Sequence, residues 1–327
     1  TATSLNSNGG GMYNYTNSSP TLTGCTFTSN TATSLNSNGG GMYNYTNSNP
    51  TLTNYLFENN TAANDGGGMY NDTNSSPTLT NGIFTGNAAT SGGGMYNNNS
   101  NPTLNTCTFE NNTGDNDGGG MYNIGSSFTL TDCIFKSNSA ANYGGGMYNN
   151  DSSPTLTGTN VCSNAQDGCT FENNSANYGG GMYNIDSSNP ILSHSGFANN
   201  SATYGGGMYN SNESIPVMSS CKFLNNTATN DGGGMYSNSS STSLILTLTE
   251  TIFIGNSATT GGGGGMYNYG SSPTLNTCVF TSNNAAGNGA GMYNNASISA
   301  LTDCTFTDNA TATGNGGGMY NNDGSDV

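Results

Sequence analysis

Three aspartates are the residues in this 327-residue sequence whose type and setting first suggest chemistry. Asp65, Asp117 and Asp231 each stand directly before a Gly-Gly-Gly run. Calcium-binding β-rolls also carry aspartate in glycine-rich turns, but their nine-residue repeat is absent from this sequence. Because a single carboxylate in a surface turn is usually solvated, calcium binding stays open as an alternative, and no other cofactor is predicted.

Acid–base catalysis has few candidate residues in this chain. His194 is the single histidine, and Lys136 and Lys222 are the only cationic side chains, far apart in the sequence. Enzymes that cleave acidic polysaccharides need cationic residues to hold the substrate and paired acids or a base to act on it. The sequence therefore predicts a protein that is not an enzyme.

Seven of the eight cysteines occupy one repeated position, two residues before a phenylalanine. Tyr, Gly, Ser and Thr hold this position in other repeats, so no metal ion or nucleophile can depend on it, and we expect buried free thiols there. Cys162 lies instead in an insertion, and we predict a disulfide between Cys162 and Cys169 that closes this loop. The seven are Cys25, Cys107, Cys133, Cys169, Cys221, Cys278 and Cys304.

The formal net charge of −16 excludes several classes of partner. Binding of nucleic acid or anionic membranes needs clustered Lys and Arg, and no apolar run approaches the ~18 residues of a membrane-spanning helix. Frequent Asn-X-Ser/Thr sequons and a chain that opens in mid-repeat suggest a piece of a longer secreted or cell-surface protein. Glycosylation of Asn, Thr or Ser stays open.

A tandem repeat positions all of these residues. The motif Gly-Gly-Gly-Met-Tyr-Asn, seen at 39–44, returns about every 26 residues, followed by Ser-Pro-Thr-Leu-Thr, Cys-x-Phe-x-x-Asn and Thr-Ala. A fixed period of this size is typical of a solenoid, in which each repeat packs only on its neighbours. The period also argues against disorder, because a disordered chain is not expected to place the same apolar residue at the same position of every repeat.

The composition of each repeat predicts β-structure. Gly, Asn, Pro and β-branched residues at this density disfavour helices. We place three short strands in each repeat, around Met-Tyr-Asn, Thr-Leu-Thr and Cys-x-Phe. The chain is thus predicted to be all-β, a parallel β-solenoid of about 11 stacked coils of about 26 residues. It forms one domain, 1–327, with turn insertions near 158–168 and 239–246.

Alternation along the predicted strands separates the inside from the outside of the coil. Cys and Phe of Cys-x-Phe point inward, as do the Leu of Thr-Leu-Thr and the motif Met. Each buried Phe or Leu contributes about 1.5–3 kcal/mol. The expected core ladder of phenylalanines is Phe27, Phe57, Phe84, Phe109, Phe135, Phe171, Phe197, Phe223, Phe253, Phe280 and Phe306.

An asparagine follows each of these phenylalanines by three residues. An amide side chain both donates and accepts, so identical asparagines can bond along a stack, and Asn tolerates the left-handed backbone of a sharp corner. We predict a structural ladder of Asn30, Asn60, Asn87, Asn112, Asn138, Asn174, Asn200, Asn226, Asn256, Asn283 and Asn309.

The motif tyrosines are predicted to form an exposed outward row, available for lateral fibre contacts or for stacking on sugars. They are Tyr13, Tyr43, Tyr70, Tyr96, Tyr122, Tyr148, Tyr183, Tyr209, Tyr236, Tyr267, Tyr293 and Tyr320.

Outward Thr-x-Thr pairs form a second regular feature. Such arrays resemble the ice-binding faces of β-solenoid antifreeze proteins, although Ile191, Val217, Ala300, Asn105 and Asn276 interrupt the pattern. Threonine is also simply favoured in strands. Ice binding is therefore a remote alternative.

The pairing of Gly-Gly-x-apolar with Phe-x-x-Asn resembles the repeats of polymorphic outer-membrane proteins, and more broadly autotransporter passenger domains. Gly66-Gly67-Gly68-Met69 followed by Phe84-Thr85-Gly86-Asn87 is one example, and the pattern covers essentially the whole chain. This resemblance implies a right-handed β-helix in an extracellular or cell-surface setting, often an adhesive one.

Two functions from different classes follow. The first is a structural rod that stacks head to tail on further copies of itself into a fibre, stalk or sheath. The second is an adhesin that binds glycans or cell surfaces through its insertions or its tyrosine row.

Overall fold

A computed structural model describes residues 7–159, 168–239 and 245–326, and its architecture confirms the predicted fold class. The described residues form parallel strands and turns without a helix, and none of them forms a helix that could cross a membrane. Strands one repeat apart pair side by side in sheets of 12, 11 and 11 strands, which run along the solenoid.

The first sheet contains the Met-Tyr-Asn strands. Their bounds are Met12–Tyr15, Met42–Tyr45, Met69–Asp72, Met95–Asn98, Met121–Ile124, Met147–Asn150, Met182–Ile185, Met208–Asn210, Met235–Asn238, Met266–Tyr269, Met292–Asn295 and Met319–Asn322.

The second sheet contains the Thr-Leu-Thr strands. Their bounds are Thr21–Thr23, Thr51–Thr53, Thr78–Thr80, Thr103–Asn105, Thr129–Thr131, Thr155–Thr157, Ile191–Ser193, Val217–Ser219, Thr247–Thr249, Thr274–Asn276 and Ala300–Thr302.

The third sheet contains the strands around the phenylalanines. Their bounds are Thr26–Thr28, Leu56–Glu58, Ile83–Thr85, Thr108–Glu110, Ile134–Lys136, Thr170–Glu172, Gly196–Ala198, Lys222–Leu224, Ile252–Ile254, Val279–Thr281 and Thr305–Thr307.

The structure adds a fourth short strand at the Thr-Ala corner, which the three-strand prediction lacks. Most of these strands have only two residues, too few for alternation to reveal them. They form two five-stranded sheets. Their bounds are Thr31–Ala32, Thr61–Ala62, Ala88–Ser91, Thr113–Asp117, Ser139–Ala140, Ser201–Ala202, Thr227–Ala228, Ser257–Ala258, Asn284–Ala285 and Ala310–Thr311.

Equivalent residues of successive repeats face each other in every sheet. Phe84, for example, pairs with Phe57 on one side and Phe109 on the other. The phenylalanine rings therefore stack, with centroids 4.6–4.8 Å apart and nearly parallel planes. Together with the motif methionines and the leucines they form one continuous apolar core.

The glycine run makes the sharp corner before the first sheet. Gly66 has a φ of +66°, which favours glycine. A Cβ on Gly67 would overlap the carbonyl oxygen of Ala88, and one on Gly68 would overlap that of Gly94. Glycine is needed here because neighbouring backbones approach too closely for any side chain.

Candidate functional site

The Phe-x-x-Asn asparagines form a buried hydrogen-bonded ladder at one corner of the coil. The Nδ2 of Asn87 donates to Oδ1 of Asn112 at 2.9 Å and to the carbonyl of Phe57 at 2.9 Å. The backbone N–H of Asn87 donates to the same Oδ1. Each interior asparagine therefore bonds to the coil before it and to the coil after it, which is a structural role.

A second asparagine ladder runs inside the first sheet and was not predicted from the sequence. The motif asparagines are buried in every coil except the last, and Asn44 donates from Nδ2 to Oδ1 of Asn71 at 2.8 Å, as Asn71 does to Asn97. The signal was present, because a residue two positions after the inward Met must also point inward. At one coil Ser237 replaces the asparagine and accepts from Asn210 at 3.2 Å.

A serine ladder follows the first sheet and was also missed. The backbone N–H of Ser48 donates to Oγ of Ser75 at 3.1 Å, and Ser75 donates in the same way to Ser100. These serines are fully buried. The repeat thus uses three columns of polar side chains, one within the first-sheet strands and two in its turns, to join successive coils.

The motif tyrosines do point away from the core, but the prediction of an exposed row is wrong for much of it. Tyr43 and Tyr183 are each only 5 % exposed, and Tyr70, Tyr148 and Tyr209 are also buried; of the motif tyrosines, only Tyr13 is strongly exposed, at 45 %. Rings of successive coils cover one another. Burial accordingly raises the pKa of Tyr43 and Tyr183.

Ring stacking also removes the surfaces that sugars would use. Centroids along the tyrosine row lie 4.4–5.5 Å apart, and planes of neighbouring rings are nearly parallel over most of the row. The faces of these rings are therefore occupied by other tyrosines, and mainly ring edges are left outward. Stacking of a sugar on the row, as predicted, would need a free ring face.

A second tyrosine column breaks the repeat at three consecutive coils. Tyr143, Tyr178 and Tyr204 precede their glycine runs and are half-buried, with ring centroids 5.3 and 5.5 Å apart. Tyr143 lies 4.7 Å from Tyr183, and Tyr178 meets Tyr209 edge to face at 5.5 Å. They form a local aromatic cluster against the main row.

Carboxylates lie at the other end of the strands in the same three coils. Asp151, Asp186 and Glu213 line a shallow open groove just after the first-sheet strands. Within the described ranges, however, no group of three or more His, Cys, Asp or Glu side chains is arranged to hold a metal ion.

The three glycine-run aspartates lie in one column but do not converge. Ser91 stands between Asp65 and Asp117, and the three extra tyrosines separate Asp117 from Asp231. Aspartates two coils apart are separated by roughly 10 Å, too far to share one calcium ion. Burial raises the pKa of Asp65 to about 7 and that of Asp117 to about 6. The pKa of Asp231 is raised for the same reason.

The cysteines at the repeated position face the core, and five of the seven are buried. The Sγ of Cys169 donates to the carbonyls of Leu130 and Thr157, and burial raises its pKa to about 12. The disulfide between Cys162 and Cys169 stays a prediction, because Cys162 lies outside the described residues. These side chains fill space in the core.

The remaining candidate residues stay apart. His194 is in the turn after Ile191–Ser193, whereas Lys136 and Lys222 belong to third-sheet strands three strands apart in the sheet order. Lys136 lies between Glu110 and Glu172 in register. The insertions near 158–168 and 239–246 fall mostly outside the described residues.

Comparison with known proteins gives one finding. Searches of characterised proteins and of solved structures return no significant match. A family model described as "Right handed beta helix region" matches residues 3–168, about half of the chain. This family includes pectate lyase-like enzymes as well as non-enzymes. With the parallel coils and their stacked ladders, this match shows that the chain belongs to the right-handed beta helix family.

Proposed function

We propose that this chain is a non-enzymatic structural rod of an extracellular or cell-surface protein, related in role to the surface repeats that its motifs resemble. The observation that carries the proposal is the use of its repeated side chains. The Phe, Met and Leu columns form one core, and the Asn column bonds from Asn30 to Asn309. The side chains that recur in every repeat thus serve to join one coil to the next.

Such a joined column makes a stiff spacer. Eleven coils at the usual strand spacing give a length of roughly 50 Å. The same register can continue into a second copy, because each coil offers the same Phe and Asn partners to the coil that follows. Head-to-tail stacking of copies into a fibre, stalk or sheath is the assembly we propose for this rod.

Electron microscopy of the purified chain over a concentration series tests this assembly. We expect rods whose length grows with concentration in multiples of one chain. Leu301→Lys in the last second-sheet strand should shorten them, because it places a charge against the stacking coil, whereas Thr302→Lys on the outer face should not. Rods of constant length at high concentration would contradict the proposal.

A specific feature supports a second candidate, an adhesive surface at the aromatic cluster. Tyr143, Tyr178 and Tyr204 stand where other described repeats have small polar, acidic or glycine residues, so the fold does not require them. A glycan and cell-surface binding screen should then lose its signal when all three are replaced by serine. Equal binding by the triple variant would remove this candidate.

A further inference from the structure

The outer face of the second sheet has no charge at all. In its eleven strands the outward residues are the first and third of each strand, and every one of them is uncharged, most being threonine. The outer face of the third sheet, by contrast, carries Glu58, Glu110, Lys136, Glu172 and Lys222. In a chain of net charge −16, an uncharged face of this length is where another copy can approach with least repulsion.

This face is also level and regular. Six successive strands place threonine opposite threonine in the first outward column, from Thr21 to Thr155. Side chains of one size at the roughly 4.8 Å spacing of strands make a flat surface, and flat sheet faces pack well against one another. The first sheet is less suited, because stacked tyrosines and the extra column at Tyr143, Tyr178 and Tyr204 make it uneven.

Two large apolar side chains interrupt the threonines near the middle of the face. Ile191 is 52 % exposed and Val217 is 45 % exposed. They are direct neighbours, in register on adjacent strands, with Thr155 and Thr247 on either side. Apolar side chains at the centre of a polar, uncharged surface are the usual anatomy of a protein interface.

We infer that two copies of this chain pair side by side through the second sheet, in antiparallel orientation. A twofold axis between the Ile191 and Val217 strands sets Ile191 of one copy against Val217 of the other. The contact is isologous, so it closes as a dimer. Threonines then meet threonines, or the short polar residues that replace them, on both sides of the axis.

The size of the contact sets its strength. About eight strands overlap around this axis, a length of roughly 38 Å and a width of roughly 10 Å for three-residue strands. Both copies together bury roughly 800 Å², below the 1,200–2,000 Å² of stable interfaces, so the dimer is weak. Carboxylates in the turns beside the face, such as Asp132 and Glu250, repel across the pair, and salt should therefore strengthen it.

Sedimentation equilibrium of the purified chain from micromolar to millimolar concentration, at low and high salt, tests the pairing. We expect a monomer–dimer equilibrium that tightens with salt. The double variant Ile191→Thr/Val217→Thr restores the threonine of the other repeats and should weaken dimerisation at least tenfold. The matched control is Ile83→Thr/Ile134→Thr, which removes two exposed isoleucines from the third sheet and should leave the dimer unchanged.

Several outcomes would overturn the inference. A monomer at all concentrations would do so, as would equal loss of dimer in both double variants. Thermal hysteresis of the monomer that is lost in Thr103→Lys and kept in Thr85→Lys would show that the second-sheet face binds ice instead. Electron microscopy separates the pairing from head-to-tail stacking, because paired rods are twice as wide and stacked rods are longer; either can fail alone.

Discussion

At the scale of single residues, the structure explains two departures from the repeat as one compensated pair. Tyr55 occupies the inward cysteine position, and its ring extends over the next coil, where Gly82 holds the same position. The Tyr55 hydroxyl reaches Cys107, two coils away, at 3.2 Å from Sγ. The large side chain of Tyr55 fits because the equivalent position of the next coil is Gly82, which has no side chain.

Gly82→Ala should therefore destabilise the protein, because the new Cβ would overlap the buried ring of Tyr55. Overpacking of this kind costs about 1–3 kcal/mol in the free energy of unfolding. Chemical denaturation of Gly82→Ala, Tyr55→Cys and the double variant forms a double-mutant cycle. We expect the alanine to be tolerated once Tyr55 is cysteine, and additive effects would disprove the compensation.

The Asn ladder makes a second residue-scale prediction. Asn138→Thr removes the donors to Phe109 and Asn174 and the acceptor for Asn112, all buried. Unsatisfied buried groups cost about 1–3 kcal/mol each, so we expect a large fall in the denaturation midpoint. Asn105→Thr, at an exposed second-sheet position where other repeats have threonine, is the control and should stay near the wild type.

At the scale of elements, the corner before the glycine run gives the protein a pH dependence. Asp65 and Asp117 have pKa values raised by burial to about 7 and about 6, above those of the unfolded chain. The folded state therefore binds more protons than the unfolded state between about pH 4 and 7. Stability should be highest near pH 4 and fall as the pH rises through this window.

Thermal melts from pH 4 to 8 measure this effect. Asp65→Asn keeps the shape and the acceptor for the amide of Asn64 but cannot ionise, so the fall in melting temperature should become shallower. Asp303→Asn, at an exposed turn, should leave the slope unchanged. A melting temperature that rises between pH 4 and 7 would contradict the assignment of these carboxylates.

The strands also show which features of the fold could be predicted from the sequence and which could not. Strand position and facing followed from alternation around Met69, Leu79 and Phe84, because a side-chain period of two is unambiguous in a uniform repeat. The burial of Tyr70 did not follow, because it depends on rings of neighbouring coils rather than on the strand itself. The fourth strand was hidden by its length.

At the scale of the whole molecule, the fold is a one-dimensional array in which each coil contacts mainly its neighbours. The period of the sequence, together with the composition of each repeat, predicted the stacked coils of this architecture. The outward Thr-x-Thr pairs, interrupted by residues such as Ile191, were evident from the aligned repeats, and the structure shows that these strands pair into one continuous sheet. The uniform period identifies the coil, whereas the distinctive features of its surface come from residues that depart from the repeat, such as Ile191 and Tyr178.

Deletion of one whole repeat tests this one-dimensional organisation. Removal of 103–128 joins Pro102 to Thr129, so the next Thr-Leu-Thr strand follows the proline as before. Tyr148 should then stack on Tyr96, and the rod should stay folded but lose roughly 4.8 Å of length in small-angle scattering. Removal of only 103–115 shifts the following sequence out of phase with the repeat, so residues that face outward in one sheet take inward positions in another. This variant should therefore lose cooperative unfolding. If both deletions unfold alike, coils are not independent units, and the stacked-coil account of stability is wrong.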